Sequence, residues 1–365
     1  MSTRTLPGPN AFKLGLFGLN TDGGIAITKV PERWRAHWDD IADVVKLADG
    51  AGFDFLLPIA RWKGYGGETN VRNACFETLT YGGALAAMTK RLFIFSTVHV
   101  PVVHPVFAAK ALTTIDHISH GRAGLNIVCG WHQAEFAMFG LEQSGHDDRY
   151  GQGREWYEIL TRIYAEEGRP FDYKGRFYDL KGVTGEPAPV QRPRPFTMSA
   201  ASSPAGRTFA MATSDLLFDT FRDIETGKRQ LEAIAAASAQ AGREGQLGVC
   251  TACHVVCRET HAEAEAYYRH YADINMDAAA VDFHVGMTKA NRIVDAQLIE
   301  DRVRRAAGLS SYKLVGTPEH IAEQLVAIHR AGFAGTTLSF VNFKTELPFF
   351  IERVMPLIRR AGLVT

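Results

Sequence analysis

Two kinds of apolar spacing alternate along the chain. Lys13–Asn20 (KLGLFGLN) is short, apolar and bounded by glycine, which predicts a buried strand. Trp34–Ala51 follows with Ile41, Val44, Val45 and Ala48 at helical spacing. Phe53–Ala60 (FDFLLPIA) is the next continuous apolar run, and Phe76–Thr89 the next helix. Leu92–Val100 (LFIFSTVHV) is rich in aromatic and β-branched residues, as strands are, and Val106–Ser119 is helical. Ala123–Gly130 (AGLNIVCG) predicts the fourth strand. Pro195–Ala201 and Asp215–Thr220 predict short strands around a helix opening near Ala205. Ile224–Ala241 is helical, Leu247–Arg258 a long strand, and His261–Ala272 and Gln297–Ala307 are helical again. Pro318–Gly332 is a helix with Thr317 as N-cap and Gly332 as its stop. Gly335–Asn342 is the last strand and Leu347–Ala361 the last helix.

Strands alternating with helices predict a parallel sheet covered by helices, an α/β fold. About eight strands over this length suit a β/α barrel of the TIM type better than an open doubly wound sheet. No Gly-x-Gly-x-x-Gly turn follows the first strand, which weakens a dinucleotide fold. One barrel domain over 1–365 is expected, with two inserted excursions. Gly140–Pro187 is helical at first, then polar and marked by glycine and proline. Asp273–Lys313 shows no clean strand before its helix and is expected to be a mobile lid, with Arg302, Arg304 and Arg305 available for an anionic substrate. Barrel chemistry sits where strands end. That directs attention to Pro58–Gly67, Thr97–His104, Cys129–Glu135, Ser199–Ala205, Thr220–Arg222 and Asn342–Thr345.

Charge and composition narrow the function. The 40 Lys and Arg balance 40 Asp and Glu, so the basic excess of a nucleic-acid binder is missing. With 46% hydrophobic and 22% charged residues, the chain is not disordered. Five cysteines, odd and sparse, argue against a disulfide framework and for a reducing compartment. No apolar run reaches the roughly 18 residues of a membrane span, and 1–10 has no signal-like core. A cytoplasmic protein is expected.

Four constellations carry possible chemistry. Arg61-Trp62-Lys63-Gly64-Tyr65-Gly66-Gly67 follows the second strand; its glycines either admit a flat ligand or serve a turn. Asn126 interrupts an apolar strand and must be hydrogen-bonded, to backbone or to a heterocycle; Trp131 packs or walls a planar ligand. Ser199–Arg207 places small and hydroxyl residues before a helix, a setting for an N-cap or a phosphate, with Arg149 and Tyr150 as further phosphate partners. Thirteen histidines show no metal spacing, and Cys250, Cys253 and Cys257 lie along one strand where alternate faces forbid convergence, so no metal is expected.

Ala60-Arg61 with Gly64-Tyr65-Gly66, Thr114 to Arg122 (TIDHISHGR), and Asn126 to Trp131 (NIVCGW) with Glu135 together resemble bacterial-luciferase-like flavin monooxygenases. His146 to Tyr150 (HDDRY) and Phe171 with Gly175 to Tyr178 (GRFY) fit as well. The branch is similar to the pyrimidine and dimethylsulfone monooxygenases, with good motif density from Phe12 to about Asp215. The resemblance implies a β/α barrel and a two-component enzyme fed with reduced FMN by a separate NAD(P)H-dependent reductase. Carried over by position, FMN would touch Ala60, Arg61, Asn126, Glu135, Arg149, Tyr150 and Ser203, with its phosphate near Tyr150 and Ser203. An oxygen pocket would comprise Leu57, Thr97, Asn126 and Trp131. Leu57 and Trp131 would exclude water, and Thr97 and Asn126 would donate hydrogen bonds to a flavin peroxide. That species would cleave a C–N or C–S bond of a small heterocyclic amide or a sulfone or sulfonate. A homo-oligomer, dimer or tetramer, is a further implication. The competing expectations are a deazaflavin-dependent reductase of the same superfamily, a non-catalytic flavin-binding protein and, more distantly, a metal-dependent barrel hydrolase.

Overall fold

The computed structural model describes Leu6, 12–130, 132–142, 146–201, 203–290 and 301–364. Its strands are β1 (Lys13–Phe17), β2 (Phe55–Leu57), β3 (Phe93–His99), β4 (Ala123–Val128), β5 (Phe171–Lys174), β6 (Asp179–Val183), β7 (Phe196–Ala200), β8 (Leu216–Phe218), β9 (Gly248–Cys257), β10 (Tyr312–Gly316) and β11 (Gly335–Ser339). The helices are α1 (Trp38–Ala51), α2 (Thr78–Met88), α3 (Pro105–Ile118), α4 (Gln133–Met138), α5 (His146–Ala165), α6 (Pro204–Thr213) and α7 (Ile224–Gln240). After them come α8 (His261–Arg269), α9 (Ala278–Ala290), α10 (Arg302–Gly308), α11 (Pro318–Arg330), α12 (Phe343–Arg353) and α13 (Met355–Arg360).

Eight of the strands close into a parallel barrel in the order β1-β2-β3-β4-β7-β8-β9-β11, with β11 returning to β1. These are the eight strands predicted from the apolar runs. Alternation along each strand sends Phe55, Phe93, Phe95, Phe196 and Met198 inward as a packed floor. Glycines make room for the rings: a Cβ on Gly15 would lie 2.6 Å from Phe55, and one on Gly124 2.5 Å from Phe93. The opposite faces carry Leu14, Leu16, Leu56 and Ile94, which pack beneath the surrounding helices.

Three features depart from the sequence expectation. Segment 140–187 holds an antiparallel hairpin, β5 with β6, whose buried Phe171 and Tyr173 alternate with exposed Asp172 and Lys174. β10 follows α10 and pairs in parallel with the upper half of β9, beyond the reach of short β8. The last helix starts earlier, at Phe343, where Asn342 caps the Lys344 amide at 2.9 Å, and it divides before α13, which carries a proline in its first turn. On β9, Cys250 faces the barrel interior while Cys253 and Cys257 face the helices, and all five cysteines are free thiols. Among the described residues no group of side chains could hold a metal ion, and no helix is long and apolar enough to cross a membrane.

Candidate active site

At the C-terminal ends of the strands the barrel opens into a cavity of about 300 Å³. Five of the six stretches singled out from sequence contribute to it, through Pro58–Arg61, Thr97 and His99, Cys129 and Gly130, Ser199–Ala201 and Ser203, and Thr220. The sixth does not, because Asn342 is occupied in capping α12. The cavity is completed from segment 273–313 by His284 and Thr288 on α9 and by Arg305 and Gly308–Ser311. Within that segment Asp277 accepts from the Thr69 amide and hydroxyl, both at 2.7 Å, and the Ala306 carbonyl accepts from the Ile27 amide at 2.8 Å.

Thr97 and Asn126 are register partners on β3 and β4, both buried and both lining the cavity. The Thr97 hydroxyl donates to the Pro58 carbonyl at 2.6 Å. Its single proton is thereby committed, so toward Asn126 Nδ2, at 3.1 Å, it is an acceptor. This fixes the amide: exchanging Oδ1 and Nδ2 would set two acceptors against each other. Asn126 Oδ1 is buried with no partner among the described residues. The site therefore offers an acceptor here, and the hydrogen bond expected from Thr97 to a ligand is spent inside the protein. Leu57 lies in the barrel floor with Phe55 and Phe95 rather than among the lining residues, because strand alternation points it into the core. Trp131 lies outside the described residues.

Arg61 lines the cavity and Glu135, fully buried, lies behind it. Arg61 Nη1 is 3.4 Å from Glu135 Oε2. The same carboxylate accepts from the Trp62 and Lys63 amides at 2.9 and 3.3 Å. Glu135 thus shapes the loop carrying Ala60 and Arg61 and does not reach the cavity itself, a correction to its expected direct contact with a ligand. Burial pulls the Arg61 pKa down, but Tyr65 and Glu135 outweigh it and hold the guanidinium above its ordinary value. His99 lines the cavity with Nδ1 3.9 Å from Glu135 Oε2. Burial, reinforced by Arg61, lowers its pKa to about 4, so it is neutral near pH 7.

The far end is built on α6. Ser203 is the N-cap, its Oγ accepting from the Gly206 amide at 3.1 Å and lying 3.2 Å from the Tyr150 hydroxyl. A Cβ on Gly206 would meet Tyr150 Oη at 2.8 Å, so glycine keeps that hydroxyl against the helix start. Arg149 Nη1 donates to the Gly130 carbonyl at 2.9 Å, and its buried Nε has no partner among the described residues. Gly130 has φ +87, and a Cβ there would fall 2.3 Å from Phe136, so no other residue fits.

Sequence reasoning missed Arg72 and His284. Arg72 follows the glycine-rich run; His284 sits on α9 with its ring 5.2 Å from that of Tyr65. The glycines themselves serve the turn: Gly67 faces Asp277 and Gly64 faces Asn70, and neither lines the cavity. Of the three arginines assigned to an anion, only Arg305 reaches the cavity. Arg302 is exposed and pairs with Asp282 at 2.9 Å, and Arg304 donates to the Arg222 carbonyl at 2.7 Å.

The chain matches the model of the luciferase-like monooxygenase family over residues 13–335. It is 30% identical over 357 residues to an FMNH(2)-dependent dimethylsulfone monooxygenase of Pseudomonas fluorescens, covering 96% of this chain and 95% of that one. It is 27% identical to the pyrimidine monooxygenase RutA of Caulobacter vibrioides, covering 95% and 98%. Among solved structures, a riboflavin lyase, RcaE, crystallised with modified FMN and riboflavin, superposes with a TM-score of 0.85 at 22% identity over 97% of this chain and 92% of that one. A long-chain alkane monooxygenase, LadA, gives 0.85 at 20% identity with the same coverage. A barrel closed as described and a match spanning nearly all of it lead to one conclusion: the chain belongs to the luciferase-like monooxygenase family.

Proposed function

We propose that this protein is an FMN-dependent monooxygenase that receives reduced FMN from a separate NAD(P)H-dependent flavin reductase and uses dioxygen to cleave a C–N or C–S bond in a small molecule. The observation that carries the reading is one cavity with a helix-start cradle at one end and a locked amide acceptor, Asn126 Oδ1, at the other. The donor set fits FMN. Ser203, Tyr150 and Arg149 suit a phosphate, since the start of α6 offers backbone N–H groups and Arg149 a charge. Ala60, Arg61 and Gly130 flank the space between, where small residues and backbone accommodate a flat ring. Asn126 Oδ1 accepts from a ring N–H. Reduced FMN, when bound, supplies the electrons that activate dioxygen. The protein's part is to orient it and exclude water: residues of α9 and Arg305–Ser311 line the cavity from one side, and Leu57 lies in the floor beneath it.

An anaerobic titration with reduced FMN, followed by rapid mixing with aerated buffer, tests the reading. Binding followed by an absorbing species that outlives free reduced flavin is expected. Thr97→Val, which removes the acceptor for Asn126 Nδ2, should shorten that lifetime about tenfold while reduced FMN still binds. Immediate reoxidation in the wild type, or no binding, would return the choice to a deazaflavin reductase or a carrier.

A cytoplasmic homodimer completes the proposal. An apolar groove lies along α2 and α3, and Trp62, Phe107, Ile118 and Phe139 in it are each 40% exposed or more. Sedimentation should show a dimer that Phe107→Glu converts to monomer.

A further inference from the structure

The cavity wall formed by α10 runs out at a helix C-terminus, and each of the last carbonyls finds a donor. The Arg305 carbonyl accepts from the Leu309 amide at 2.8 Å, which closes the last turn. The Ala306 carbonyl accepts from the Ile27 amide at 2.8 Å and the Ala307 carbonyl from the Tyr271 hydroxyl at 3.0 Å. The Gly308 carbonyl accepts from the Ser311 amide at 3.1 Å and from its hydroxyl at 2.6 Å. The next donor is Lys313 on β10. Its Nζ lies 3.2 Å from the Gly308 carbonyl, 3.3 Å from the Leu309 carbonyl, 2.7 Å from the Ser311 carbonyl and 3.0 Å from Ser311 Oγ. Ser311 Oγ gives its own proton to Gly308, so toward Nζ it accepts. All four partners are acceptors and none is a carboxylate. The ammonium sits in a cage made of the oxygens of one turn.

That turn needs holding. Leu309 has φ +53 and ψ −132, a conformation that a non-glycine residue keeps only where its surroundings over-determine it. Gly308 is confined, since a Cβ there would meet His254 Cβ at 2.8 Å and Ser311 Oγ at 3.0 Å. Ser310 Oγ accepts from Arg305 Nη1 at 3.0 Å. Every residue from Gly308 to Ser311 lines the cavity, whereas Lys313 lies behind them and does not. Burial, then Arg304 and Arg305, lowers the Lys313 pKa. The cage opposes that, because only the protonated amine has three N–H groups to offer it. An apolar side chain at 313 would escape the cost of burying a charge, but it would leave the turn without these donors.

We infer that Lys313 is a positioning residue: its ammonium fixes the turn 308–311, Leu309 included, as a rigid part of the cavity wall. The consequence for the reaction rests on the monooxygenase reading. A fixed wall excludes water from bound flavin, and a loosened one admits it.

Hydrogen exchange of the ligand-free protein, read by mass spectrometry on peptides covering 306–312, tests the anchoring. Lys313→Met keeps the side-chain length and removes the donors. The Leu309 and Ser311 amides should then exchange about tenfold faster, with peptides from β1 and α3 unchanged. Lys313→Arg, which keeps charge and donors, should restore part of the protection. The second measurement loads the protein anaerobically with reduced FMN and mixes it with aerated buffer. Lys313→Met should shorten the lifetime of the absorbing species about tenfold while reduced FMN affinity stays within about twofold. A general loss of stability would not divide the two in this way. If Lys313→Met fails to fold, the milder Lys313→Gln carries both measurements. Wild-type exchange in the neutral variant, or faster exchange with an unchanged lifetime, would overturn the inference. Absence of the absorbing species in the wild type would instead strike the monooxygenase reading, and the exchange comparison would still decide whether Lys313 holds the turn.

Discussion

Glu135→Gln is the sharpest probe of a single residue. Glutamine keeps an oxygen for the Trp62 and Lys63 amides but removes the negative charge 3.4 Å from Arg61. Breaking a buried ion pair this way should cost about 3 kcal/mol of stability, read by urea unfolding, and weaken reduced FMN binding with it. Residues of this kind were legible in the sequence when a polar group stood at a predicted strand end: Asn126, Thr97 and Ser203 all line the cavity. Arg72 and His284 were not. A loop arginine and a helical histidine carry no strand-end signal in the sequence, and their burial follows from chain segments far apart in sequence meeting, as Thr69 meets Asp277. The role of Thr97 was also hidden, since the direction of its proton depends on the Pro58 carbonyl across the barrel.

At the scale of elements, α6 joins stability to ligand binding through one hydroxyl. Ser203→Ala removes the N-cap and the partner of Tyr150, so it should cost about 1 kcal/mol of folding stability. It should also weaken FMN while leaving riboflavin, which has no phosphate, nearly unaffected; fluorescence titration with both flavins separates the effects. Every barrel strand was legible because strands buried on both faces write continuous apolar runs. The hairpin of β5 and β6 and the outlying β10 were not. The hairpin alternates buried with exposed residues inside a stretch rich in turn formers, and β10 is only partly buried and carries Lys313. The proline in the first turn of α13 likewise marks a break that apolar spacing alone passes over.

For the whole molecule, buried neutral histidines set the response to acid. His99, His254 and His284 all have pKa values depressed mainly by burial, His99 to about 4. The unfolded chain, with histidines near 6.5, then binds more protons between roughly pH 6.5 and 4, so stability falls as pH drops through that window, by up to about 1.4 kcal/mol per unit for each histidine. Tm should be nearly flat above pH 7.5 and decline below 6.5. His254→Phe should lessen the slope, because both ring nitrogens of His254 are buried without partners among the described residues. The free cysteines bear on a different matter, survival during turnover. A flavin oxygenase running without substrate releases hydrogen peroxide, which attacks thiolates. Cys129 at the cavity and Cys250, Cys253 and Cys257 on β9 are buried, and burial pushes each thiol up to about 12. They stay protonated and slow to oxidise, so these four thiols are held in a form that tolerates the by-product of the proposed chemistry.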